Sequence, residues 1–425
     1  MSTCGAHEFR RAFKPSQAKP SPVSAGRAEP PLRAAAPPRR LEFADEACTA
    51  QVWSVDNRLF EAGGRLRVEY ESMTTPLTLL EFDVTGASTS SADATTLHEQ
   101  PVPHYDAAHY RTCRLEVATR DGEAVPLTLL WRAELAGSEP PASEEGDVAS
   151  EEGDVASEEG NVASEEGDVA GSDPPSVCDD GTRPPRGRPV HLYAYGSYGV
   201  CIDPNFSSQR LSLVDRGIVF AIAHVRGGGE KGDHAWYEAG GKYLTKGNTF
   251  EDFVACASAL VERGIAMPGA LSCEGRSAGG LLVGASVNLA PNLFCAALAG
   301  VPFVDTMVTM CDASIPLTVE EWAEWGNPNE AKYFHYMMGY SPMHNVKAGM
   351  TYPAMLILGG LNDPRVAYWE PAKWAQVLRS NVVNGDEILL KMDLTAGHFS
   401  AANRYHYLRE MSFQYAWLID RLGAA

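Results

Sequence analysis

Gly275-Arg276-Ser277-Ala278-Gly279-Gly280 is the stretch on which the fold turns. It has the form G-x-S-x-G, set between a short apolar run at 270–273 and a helically spaced run at 278–290 that Pro291 stops. A serine in that context reads as a nucleophile elbow. The strained strand-to-helix turn projects the side-chain oxygen, and small neighbours are needed because the backbone is crowded there. A helix beginning beside Ser277 also aims free N–H groups at any oxyanion that forms. Glycine-rich matches arise by chance, so the flanking strand and helix carry much of the weight.

Outward from the elbow, strands and helices alternate. Apolar runs at 190–195, 217–225, 295–301, 354–359 and 387–392 suit buried strands, and helical spacing recurs at 249–263, 367–379 and 403–422. The pattern predicts a doubly wound α/β domain with a mostly parallel sheet, the α/β-hydrolase fold.

A serine hydroxyl needs a base, and the base an orienting acid. In this fold the order along the chain is serine, acid, histidine. Four histidines follow Ser277. His335 and His406 lie in helical stretches and read as packing residues, and His344 sits in a Ser-Pro loop. His398 follows the 387–392 strand directly, at the carboxyl end where open α/β sheets place their chemistry. Asp363 follows the 354–359 strand in the same way. Asp305, Asp312, Asp386 and Asp393 are the alternatives. The expected assignment is Ser277 as nucleophile, His398 as base and then acid, and Asp363 fixing the imidazole tautomer. This chemistry calls for no cofactor or metal.

Composition closes off other classes. The 425 residues are 44% hydrophobic and 21% charged, which is globular composition. The formal net charge of −20 disfavours nucleic-acid binding, which needs a basic surface. The longest apolar runs are about half the ~18 residues of a spanning helix, so no membrane segment is expected. The start lacks an apolar leader core, and the nine cysteines are scattered without a C-x-x-C pair. Reduced thiols and a cytoplasmic location are therefore expected. The sequence Gly227-Gly228-Gly229-Glu230-Lys231-Gly232 imitates a dinucleotide motif, but a poor helix follows it and nucleotide binding is set aside.

Charge is uneven along the chain. Residues 1–40 are Pro-, Ala- and Arg-rich without periodicity and are expected to be disordered. Residues 41–105 contain β-like runs at 65–70 and 77–84. Residues 106–135 add a hairpin signal, 111–119 and 125–131 about Asp121-Gly122. Residues 136–185 hold four acidic heptads, SEEGDVA with one SEEGNVA, across 143–170. Only Val and Ala in each heptad are apolar, so no coiled-coil seam can form, and a disordered insertion in a loop is expected. The catalytic domain is then 106–135 together with 186–425.

Several segments carry a resemblance: 193–199 (YAYGSYG), 224–230 (HVRGGGE), 248–253 (NTFEDF), 275–282 (GRSAGGLL), 324–328 (EWGNP), 340–342 (YSP) and 362–366 (NDPRV). Together they resemble the basic-specific oligopeptidase B branch of the prolyl oligopeptidase family of serine peptidases, most of all its trypanosomatid members. The likeness covers 189–422 strongly and 41–132 weakly. It implies cleavage of small basic peptides after Arg or Lys. By matching position it implies that Tyr195 joins the Ala278 N–H in the oxyanion hole, that Arg365 holds the substrate backbone, and that Glu321 pairs the cationic Arg or Lys side chain, bidentately for Arg. Asp203 matches one of two acids for a second basic residue.

Departures accompany the likeness. The family's second acid near Glu321 is Ala323 here, with Glu324 adjacent, and the partner of Asp203 is Asn205. Weaker discrimination for basic pairs is expected. The family also carries a complete β-propeller, and 41–105 supplies about one blade, so a truncated or split form is expected. Two other roles follow from that: an open-site esterase, or an interaction protein recruiting basic partners through the acidic repeat.

Overall fold

The computed structural model describes residues 40–45, 47–52, 64–86, 89–135, 183–399 and 403–424. The expectations for 1–39 and for the acidic heptads lie outside the described residues. The described residues from Leu41 onward form one compact unit.

Strands β1 (Cys48–Val52), β2 (Arg65–Ser72), β3 (Thr78–Asp83) and β4 (Thr95–Glu99) make an antiparallel sheet in sequential order. Alternation in β2 and β3 puts Val68, Tyr70, Leu80 and Phe82 into one small core, and Phe43 stacks on Tyr70. Two of these strands were legible as β-like runs; β1 and β4 carry little buried surface and were not.

The second sheet has eight strands. β5 (Tyr110–Ala118) and β6 (Ala124–Arg132) form the hairpin expected around Asp121-Gly122, with Gly122 at φ +85°. They are followed by β7 (Arg188–Tyr193), β8 (Val219–Ala223), β9 (Ala266–Arg276), β10 (Ala296–Gly300), β11 (Ala354–Gly360) and β12 (Ile388–Asp393). The order is β5-β6-β8-β7-β9-β10-β11-β12. Every pair from β8 to β12 is parallel, while β6 runs antiparallel to both neighbours. This is the doubly wound α/β-hydrolase topology. All residues of β8, β10 and β11 are buried, which explains their continuous apolar runs: both faces of a parallel sheet are covered.

The covering helices come from both sides. α1 (Ser208–Val214) packs Leu211, Leu213 and Val214 on one face. On the other face, α2 (Gly247–Glu262) contributes Phe250, Phe253 and Leu260, and α3 (Ala278–Leu289) is buried along nearly its whole length. Short helices α4 (Thr306–Cys311), α5 (Thr318–Trp325) and α6 (Ala331–Tyr340) follow β10. α7 (Trp369–Asn381) buries Trp374 and Leu378 beside α3, and α8 (Arg404–Leu422) returns to the first face through Trp417 and Leu418. The two sheets are joined at Met73, buried among Tyr110, Leu130 and Leu213, and by the Tyr105 hydroxyl donating to the Thr74 carbonyl. No helix among the described residues is long and apolar enough to cross a membrane. Free thiols are found at Cys48, Cys201, Cys256, Cys273, Cys295 and Cys311.

Candidate active site

Ser277 sits between β9 and α3 at φ +58°, ψ −118°, a conformation that non-glycine residues rarely adopt. The surroundings over-determine it. The Ser277 N–H donates to the Gly300 carbonyl at 2.8 Å, and its own carbonyl accepts from Gly280 and Phe303. The glycines are required by close approach. A Cβ at 275 would lie 2.1 Å from the Gly279 carbonyl oxygen, and one at 280 would lie 2.4 Å from Pro302. The sequence rule that crowding forces small residues here thus has named atoms behind it.

Three carboxyl ends of the sheet converge on this serine. The Nε2 of His398, in the loop after β12, lies 3.0 Å from Ser277 Oγ, and its Nδ1 lies 2.8 Å from Asp363 Oδ2, after β11. The other carboxylate oxygen, Oδ1, accepts from the N–H groups of Arg365 and Val366 at 2.8 and 2.9 Å. Both His398 and Asp363 are buried side chains. Among the acids weighed from sequence, only Asp363 bonds this imidazole within the described residues. Asp305 instead pairs with Lys373, and Asp312 caps its own turn through Ser314.

Asp393 has a different task. Its Oδ1 accepts from the N–H groups of Thr395 and Ala396, and Oδ2 lies 2.7 Å from His406 Nε2. Burial opposes it, yet these hydrogen bonds hold its carboxyl well below the usual range. The pair pins the loop that carries His398, so His406 is more than the packing residue expected from sequence.

A cleft of about 470 Å³ opens beside Ser277. Tyr195, Ala278, Glu321 and Arg365 line it, with Phe303, Met310 and Val366 as apolar wall. Tyr195 follows β7, and a Cβ at 279 would lie 3.4 Å from both its Cα and its ring. Burial, followed by neighbouring Tyr193, Glu324 and Glu321, pushes its phenol up to about 12, so it is a proton donor at neutral pH. The Ala278 N–H is an orphan donor of the first helical turn, with no side chain capping it. Asp203 is exposed in the loop before α1 and does not line this cleft; burial and then Glu230 raise its carboxyl.

Several supporting residues escaped the sequence reading. Glu321 Oε2 accepts from the Tyr198 hydroxyl at 2.7 Å and the Trp325 indole at 3.0 Å. Glu324, the acid adjacent to Ala323, is buried and accepts from the Tyr198 N–H and the Tyr237 hydroxyl. Lys246 is 1% exposed and donates to the Gly196 carbonyl and, at 2.8 Å, to Ser197 Oγ. Burial pushes its ammonium down to about 8, against the raising influence of Glu324. Lys246 and Glu324 therefore hold opposite ends of the turn carrying Tyr195 and Tyr198. The glycine loop set aside as a nucleotide motif packs on the same turn: Gly199 donates to the Gly227 carbonyl, and a Cβ at 227 would lie 2.1 Å from the Gly196 oxygen. Arg226, before it, is buried against Asp252 and Asp121. No periodicity signals such contacts, because their partners lie far apart in sequence.

The profile of the prolyl oligopeptidase family matches residues 204–425. The chain belongs to that family. It is 39% identical over 361 residues to dipeptidyl aminopeptidase BI of Pseudoxanthomonas mexicana, covering 85% of this chain and 42% of that protein. It is 38% identical to protease 2 of Moraxella lacunata, covering 84% and 44% respectively. Among solved structures, oligopeptidase B from Trypanosoma brucei with covalently bound antipain superposes with a TM-score of 0.72 at 44% identity, over 91% of this chain and 47% of that one. Oligopeptidase B from Leishmania major gives 0.70 at 41% identity, over 89% and 45%. The chain thus spans somewhat less than half the length of these prolyl oligopeptidase family relatives.

Proposed function

We propose that this chain is a serine peptidase of the oligopeptidase B type, cleaving small peptides after Arg or Lys through Ser277, His398 and Asp363. The observation that carries the reading is the unbroken relay from Asp363 Oδ2 through both imidazole nitrogens to Ser277 Oγ, at 2.8 and 3.0 Å. Membership of the family supports it.

The chemistry runs as follows. Ser277 Oγ attacks the scissile carbonyl carbon while His398 Nε2 takes its proton. Asp363 keeps the other imidazole proton on Nδ1, so that Nε2 is the basic nitrogen. The carbonyl oxygen becomes an oxyanion that receives the Ala278 N–H and the Tyr195 hydroxyl. Collapse breaks the C–N bond, and His398 returns the proton to the departing amine. Water then enters by the same route reversed, releasing the acid and restoring Ser277.

The cationic side chain of the substrate lies along the apolar wall of the cleft with its charge at Glu321, and Arg365 holds the peptide backbone. Asp203 stands outside the cleft lining, so it contributes at most at a more distant subsite. A matched set of Arg, Lys and norleucine amide reporters tests this reading. Arg and Lys should be turned over by the full chain, norleucine should lag, and Glu321→Gln should erase the difference. Equal turnover of all three in the unmutated chain would overturn the basic specificity.

A further inference from the structure

We propose that Tyr198 sets the balance between arginine and lysine: by donating its hydroxyl to Glu321 it leaves that carboxylate one usable oxygen. It is a positioning residue, acting through Glu321, and the inference rests on the reading that Glu321 receives the substrate's cation.

The occupancy of the carboxylate is unequal. Oε2 accepts from the Tyr198 hydroxyl at 2.7 Å and from Trp325 Nε1 at 3.0 Å. A carboxylate oxygen offers about two lone-pair sites, so Oε2 is filled. Among the described residues no group donates to Oε1. A guanidinium gains its advantage over an ammonium by gripping both oxygens of a carboxylate in parallel. Here the second grip is taken, and a lysine ammonium, which needs one oxygen, loses nothing.

Both donors are fixed. Trp325 lies one helical turn after Glu321 on α5 and is 1% exposed. Tyr198 sits at φ +60° with its N–H on Glu324, in the turn that Lys246 holds from below. Its ring rests edge-on against Trp325, with centroids 5.7 Å apart. Burial and the neighbouring Glu321 raise the phenol well above its ordinary value, so the hydroxyl remains a donor across the working range.

The test uses the full chain, Tyr198→Phe and Glu321→Gln, with two readouts. One is the kcat/KM ratio for matched Arg and Lys amide reporters; the other is calorimetric binding of butylguanidine and pentylamine, which needs no turnover. The unmutated chain should treat the members of each pair within about threefold, as one shared oxygen implies. Tyr198→Phe keeps the ring and frees Oε2. It should raise the guanidinium-to-ammonium ratio about tenfold in both readouts, the value of one added charge-assisted hydrogen bond. Glu321→Gln should weaken both cations. If Glu321→Gln weakens both while Tyr198→Phe leaves the ratio unmoved, the Tyr198 inference fails by itself. If Glu321→Gln changes neither, the cation-site reading fails, and this inference with it.

Discussion

Asp363 Oδ2 lies 2.8 Å from His398 Nδ1, and the same side chain's Oδ1 is held by the N–H groups of Arg365 and Val366. The acid therefore cannot turn away, and its geometry dictates which imidazole nitrogen carries the proton. In Asp363→Asn the oxygen can keep the two backbone donors, while the amide NH₂ faces Nδ1 and moves the ring proton to Nε2. The base is then lost although the fold is kept. We expect kcat to fall about 10⁴-fold with the unfolding midpoint little changed, measured by steady-state kinetics and thermal denaturation.

Tyr195→Phe removes one oxyanion donor and leaves the ring packed against Gly279. Turnover of an amide reporter should drop about 10²- to 10³-fold, with KM nearly unchanged, because the bond forms only in the transition state. An equal loss in KM and none in kcat would assign Tyr195 to ground-state binding instead.

Glu370 gives a pH signature in stability. It is fully buried in α7, accepting from the Val304 and Asp305 N–H groups and the Thr309 hydroxyl, with Asp305 and its partner Lys373 beside it. Burial pushes its carboxyl up from 4.5 to about 7. A raised folded-state value favours the protonated form, so the stabilising contribution is complete below about pH 4.5 and is lost as pH rises through 7. Stability of the unmutated chain relative to Glu370→Gln should fall by about 3 kcal/mol between pH 4.5 and 8 in urea titrations. Parallel profiles would exclude this account.

Two glycines should respond oppositely to alanine. At 275 the added Cβ meets the Gly279 backbone oxygen, so Gly275→Ala must open the elbow. We expect a loss of about 1–3 kcal/mol together with most of the activity. Gly339, in helix α6, has nothing within 4 Å of an added Cβ. Gly339→Ala should gain about 0.5–1 kcal/mol, with activity unaltered.

Much of this site could be read in the sequence, and the reason is local. The elbow, Asp363 and His398 each sit directly after an apolar run, and the run itself marks the strand end. The eight-stranded domain was legible likewise, because strands buried on both faces are continuously apolar. The short helices α4 and α5 were not, since Pro316, followed by Leu317 in the left-handed region, breaks any periodicity. Lys246 was also invisible, and Glu324 could be named only as the neighbour of Ala323, without its hold on Tyr198 and Tyr237. A buried lysine looks like a surface lysine until its acceptors, fifty residues away along the chain, are brought beneath it. The family likeness supplied Tyr195 and Glu321, but Tyr198 and Trp325, which govern how Glu321 is presented, came only from the structure.

The most direct measurement is an active-site titration of the full chain with the p-nitrophenyl ester of a blocked arginine. Formation of an acyl-enzyme on Ser277 predicts a burst of one p-nitrophenol per chain before steady turnover, and no burst from Ser277→Ala. A folded, soluble chain that gives no burst, or a burst that survives Ser277→Ala, would contradict Ser277 as the nucleophile.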